Sequence, residues 1–115
     1  MTENLSEPLR DYLTEVAREG RTTTYAQAAS RIGLDIRRAA DSNMLTSMLR
    51  AIAEEEHGAA RPLLSVVCVM AGVKRPGQGF FDTARTLGVF PGTDNREFFA
   101  EELARVHLYW ANGRA

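Results

Sequence analysis

The run Leu63-Leu-Ser-Val-Val-Cys-Val-Met-Ala71 constrains this chain more than any other segment. Apolar side chains occupy both alternating positions, so an extended form would have no face to give to water and must lie inside the domain. Pro62 precedes it, and its β-branched content predicts a central strand. Ser65 and Gly72 interrupt the stretch from Leu63 to Val73, which falls well short of the ~18 apolar residues that suggest a bilayer span. No membrane partner is therefore expected. With 115 residues around one such segment, the chain is expected to form a single domain, 1–115, burying about two thirds of its unfolded surface.

Helices surround that run in the sequence. Ser6 is placed to cap a first helix with Pro8 in its opening turn. Leu9, Tyr12, Leu13, Val16 and Ala17 form one stripe, the opposite face is acidic, and Gly20 offers a left-handed stop. Thr24 with Gln27 is a capping box for a second, short helix, on which Tyr25, Ala28, Ala29 and Ile32 share a face before Gly33. Asp35 to Ala40 reads as a turn or the start of a third helix. Its firm part carries Met44, Leu45, Met48, Leu49, Ile52 and Ala53, and Gly58 is its expected end. Beyond the central run, Lys74-Arg-Pro-Gly-Gln-Gly79 reads as a turn and Phe80-Phe81 as a short returning strand. Asp82 is expected to cap a single turn to Leu87. Asp94 with Glu97 opens a last helix bearing Phe98, Phe99, Leu103, Val106 and Trp110, with Gly113 closing it.

This order predicts an α+β, winged-helix-like fold: three N-terminal helices, a short β hairpin or small sheet, and a C-terminal helix. Ala29 and Gly33 have the spacing of a helix-turn-helix crossing, although the apolar position expected later in the recognition helix falls on Ser42. Fourteen basic residues against fifteen acidic give a net charge of -1, which excludes a global pull towards nucleic acid. Charge is uneven along the chain, however. Residues 21 to 50 hold five arginines against Asp35 and Asp41, and residues 61 to 85 hold four cations against Asp82, so each stretch is net +3. In a winged helix these are the recognition region and the wing. Arg37, Arg38, Lys74 and Arg75 are then the candidate phosphate contacts. The competing reading is a solvated surface whose cations are neutralised by the acidic first and last helices.

The segment Gly20-Arg-Thr-Thr-Thr-Tyr-Ala-Gln-Ala-Ala-Ser-Arg-Ile-Gly33, with Arg38-Ala39-Ala40 after it, resembles the DNA-binding domain of O6-alkylguanine-DNA alkyltransferases and alkyltransferase-like proteins. The likeness covers about a fifth of the chain. It implies that Tyr25 faces a DNA phosphate and that Arg38 fills the base stack after a nucleotide is flipped. The family's proline-cysteine-histidine-arginine site would fall near Cys68, where this chain has Val66-Val67-Cys68-Val69-Met70. Without a neighbouring base, a thiol among apolar residues is held protonated, and Cys68 reads as core filling. Arg61-Pro-Leu-Leu-Ser65, Pro76-Gly-Gln-Gly-Phe-Phe81 and Tyr109-Trp110 together resemble a group of small uncharacterised bacterial proteins. That second likeness spans most of the chain and implies kinship of fold, with no catalytic residue to carry over.

Other chemistry is poorly supplied. His57 and His107 are far apart, one cysteine gives no zinc spacing, and no metal or cofactor is expected. Glu54-Glu55-Glu56 beside a helix end reads as a solvated face rather than an acid-base set. Gly77 and Gly79 lack the strand, helix and third glycine of a dinucleotide loop. Ser65 has no nearby histidine and no flanking nucleophile-elbow glycines. Adjacent aromatics at Phe80-Phe81, Phe98-Phe99 and Tyr109-Trp110 point partly in different directions, which suits core packing better than a stacking platform. The lone cysteine and a first segment without basic and apolar regions predict a cytoplasmic protein. The expected function is a non-enzymatic DNA-binding module, possible as a homodimer. The alternative is a protein-interaction module acting through the acidic or C-terminal helix.

Overall fold

A computed structural model describes residues 4–111, and its architecture is mostly helical with one small sheet. Helix α1 spans Ser6–Arg18 and buries Leu9, Leu13, Val16 and Ala17, the stripe expected from its periodicity. Ser6 is not its cap. The residue before the helix is Leu5, which makes no capping bond, and the Ser6 amide instead donates to Asn4 Oδ1 at 2.9 Å. Gly20 ends α1 at φ +68°, where the Arg21 amide reaches Val16 O and the Gly20 amide reaches Ala17 O, a Schellman closure.

Strand β1 is only Thr23–Thr24, and α2 follows at Tyr25–Arg31. The expected capping box is formed: Gln27 N–H donates to Thr24 Oγ1 at 3.1 Å, and Thr24 N–H donates to Gln27 Oε1 at 3.2 Å. Gly33, at φ +83°, turns the chain towards α3. That helix, Ala39–Gly58, buries Leu45, Leu49, Ile52, Ala53 and Glu56. Its last helical residue is Gly58, but the left-handed position after it is Ala60 at φ +60°.

The central run is buried from Leu63 to Val69 and exposed at Met70 and Ala71, and it is not a central strand. Leu64–Val67 forms a 3-10 turn and only Cys68–Val69 is extended, as β2. Strand β2 pairs in parallel with β1, Thr23 opposite Cys68 and Thr24 opposite Val69. A central strand needs a partner along its length, and β1 supplies two residues. The remaining backbone groups find other partners: Leu63 N–H donates to Glu102 Oε2 at 2.8 Å, Val66 N–H to Leu63 O, and Cys68 N–H to Ser65 O. Buried apolar periodicity does not separate a strand from a tight helical turn, and here tertiary pairing decides.

The segment after the turn also differs from expectation. Phe80 and Phe81 lie on α4, Gln78–Thr86, and the predicted hairpin is absent among the described residues because the two strands run parallel. Asp82 sits inside α4, accepting from Gln78 Nε2 at 3.0 Å, and caps nothing. Phe80, Phe81, Ala84 and Leu87 follow helical spacing, a signal that Gly77 and Gly79 disguise. Helix α5, Asn95–Ala111, begins where Asp94 Oδ1 accepts from Glu97 N–H at 3.1 Å. Its proposed stop, Gly113, lies outside the described residues.

Two apolar clusters result. One joins α1, α2, α3 and α5 around Leu64, Val66, Val67 and Cys68. The other gathers Ala53, Leu63, Phe81, Ala84, Phe90 and Phe98. Among the described residues no helix is long and apolar enough to cross a membrane.

Candidate functional site

Between the two clusters a pocket of about 360 Å³ opens against α3, with the 70–79 loop and the start of α4 opposite. Local geometry builds its walls. The Schellman turn at Gly33 sends Ile36 and then Ser42 to one side, and the Met70–Arg75 turn brings Met70, Gly77 and Gly79 to the other. That turn is closed by Lys74 N–H on Met70 O at 2.8 Å and Met70 N–H on Arg75 O at 2.9 Å. Leu45, Leu49 and Phe80 make the wall largely apolar, and Arg50 is the one charged residue lining it.

Tyr25 sits on this pocket, where its Oη accepts the Gly77 amide at 2.9 Å. Burial pushes the phenol above its ordinary pKa, and the Gly77 N–H offsets part of that shift by favouring the phenolate. The bond ties the first turn of α2 to the loop that carries Lys74 and Arg75. Since Ile36 and Ser42 bracket Arg38 in sequence, and Met70 and Gly77 bracket Lys74 and Arg75, the pocket joins both basic segments.

The four candidate cations differ. Arg38 stands exposed at the residue preceding α3, and Lys74 and Arg75 are exposed on the loop; among the described residues none of the three makes an ion pair. Arg37 is held by its neighbour. Its Nε and a terminal nitrogen donate to Asp35 Oδ1 and Oδ2 at 3.0 and 2.9 Å. These bonds lower the Asp35 carboxyl to about 2. Arg75 also faces a second hollow, of about 570 Å³, shared with Gln78, Asp94 and Arg96.

The remaining candidates of the sequence take structural places. Cys68 is in the main core, where burial pushes its thiol up to about 12. Glu56, expected on a solvated face, is instead fully buried and gripped by arginines. Arg61 donates to its two oxygens at 2.7 and 3.1 Å, and Arg10 donates from α1. Among the described residues no three His, Cys, Asp or Glu side chains are grouped as a metal ion would require. Sequence reasoning missed Arg50 and the apolar pocket, because the walls come from separate segments spread between Tyr25 and Thr83 and no local spacing marks them. Ser65, a poor nucleophile candidate by its sequence neighbours, lines this pocket. No family model matches the chain, and no match is found among curated proteins or solved structures.

Proposed function

We propose that this chain is a noncatalytic module that binds duplex DNA through the start of α3 and the Lys74-Arg75 loop. In this reading it is a winged-helix variant, with a closed loop where a hairpin wing would stand. One observation carries it. Arg38, Lys74 and Arg75 are exposed and without ion pairs among the described residues, on two segments that flank a common pocket, the second of them tied to α2 by the Tyr25–Gly77 bond. Unpaired cations release counterions from DNA without first breaking a contact of their own. Arg38 adds its charge at the first turn of α3, where the helix dipole favours phosphate oxygens although the Asp41 carboxylate shares that turn. Arg37 contributes less, since phosphate must compete with the Asp35 carboxylate.

Fluorescence anisotropy with a labelled duplex at low salt tests the reading. Arg38→Ala is expected to weaken binding by about tenfold, and the double change Lys74→Gln, Arg75→Gln by a similar factor, whereas Arg37→Ala changes it little. Binding that is indifferent to both basic segments would overturn the proposal. So would absence of binding at low salt together with a stoichiometric protein partner from the native host, which instead supports an interaction module.

A further inference from the structure

We infer that the pocket between α3 and the 70–79 loop is a binding site for a small monocarboxylate with an apolar body. Its volume of about 360 Å³ lies at the small end of ligand sites, room for a single-ring or short-chain acid. Leu49, Ile36 and Phe80 give that body an apolar wall.

Polar groups at the pocket select the head group. Ser65 lines it at 6% exposure, and its hydroxyl has no hydrogen-bond partner among the described residues. That hydroxyl opens onto the pocket, free to donate to a ligand oxygen. The Tyr25 oxygen already accepts the Gly77 amide, which leaves its own proton to donate. Arg50 makes no ion pair among the described residues and is the one charged residue on the wall. The Tyr25 and Ser65 hydroxyls with one guanidinium suit the two oxygens and single charge of a carboxylate; Ser42, Thr46 and Thr83 also line the pocket, and the Thr46 hydroxyl is already spent on Ser42 O. A cationic ligand would meet Arg50 with no carboxylate to balance it, and a phosphate would bring more charge than one arginine neutralises.

Carboxylate binding here does not require DNA binding, because Arg38, Lys74 and Arg75 do not line the pocket, although the pocket lies between the two basic segments. Titration of 15N-labelled protein with phenylacetate and octanoate, each paired with its neutral amide, tests it by NMR. The expected result is saturable shifts of the Ser65, Gly77 and Gly79 amides with at least one acid, at least about tenfold tighter than with its amide. Arg50→Gln, an exposed change on α3, is expected to remove that preference while the rest of the spectrum stays in place. Ser65→Ala should weaken the acid several-fold. The inference is overturned if neither acid gives saturable shifts at these amides up to about 10 mM, a range that still detects millimolar affinity. Equal affinity for acid and amide, or a preference that survives Arg50→Gln, also overturns it.

Discussion

At Glu56 a carboxylate without solvent exposure lies between Arg61 and Arg10, joining α3 to α1 and to the segment that leads into the buried run. Burial alone would raise its pKa, but the hydrogen bonds from Arg61 and Arg10 outweigh burial and hold it below the ordinary range. Removing one partner of a buried pair costs about 3–5 kcal/mol, and Arg10 remains here, so Arg61→Met is expected to cost about 2 kcal/mol in urea unfolding. A lowered folded pKa stabilises above the ordinary glutamate value of about 4.3, and that contribution is lost as the pH falls through the folded value. The stability difference between pH 7 and pH 3 should therefore shrink in Arg61→Met. Four residues on from Glu56, Ala60 holds φ +60° and closes α3 with its amide on His57 O. An L side chain there costs about 1 kcal/mol, so Ala60→Gly should raise the unfolding midpoint by a corresponding amount. No local signal in the sequence marks Ala60. Glu56 is one of three consecutive glutamates, yet it lies four residues after Ile52 and seven after Leu49, so the helical phase of the apolar stripe separates it from Glu54 and Glu55.

Among the elements, the link from α2 to the 70–79 loop rests on the phenol of Tyr25. Tyr25→Phe leaves the half-buried Gly77 amide without its acceptor, a loss of about 1 kcal/mol, the low end for a donor left unpaired. Faster hydrogen exchange at Gly77, with α1 and α5 amides unchanged, is the expected signature; equal acceleration everywhere would contradict a local role. Elements with a local chemical signature were readable: the Thr24–Gln27 box, the turns at Gly20 and Gly33, and the Asp94 start of α5. Those defined by distant partners were not. Leu63 to Val69 is buried as its composition predicts, while Met70 and Ala71 are exposed, and the conformation of the run depends on how little strand β1 offers and on Glu102 capturing the Leu63 amide. Phe80 and Phe81 both reach Phe98, with ring centroids 6.0 and 6.5 Å away, which a helix allows with adjacent positions on neighbouring faces.

At the scale of the molecule, the described residues form five α-helices that close over a buried turn, and the pocket occupies the join between two apolar clusters. Cations near the candidate site were visible in the sequence, because local charge does not depend on folding. Which of them are free was not, since only the fold shows Arg37 engaged by Asp35 while Arg38 stands clear. The central claim is that free cations on two segments act together on one polyanion. Its most direct measurement is the salt dependence of duplex binding, because log Kobs falls with log salt by about 0.9 per phosphate neutralised. Three cations predict a slope of about -3 for the unaltered protein, about -2 for Arg38→Ala and about -1 for the Lys74→Gln, Arg75→Gln pair. A slope near zero, or one that neither set of changes reduces, would contradict the account.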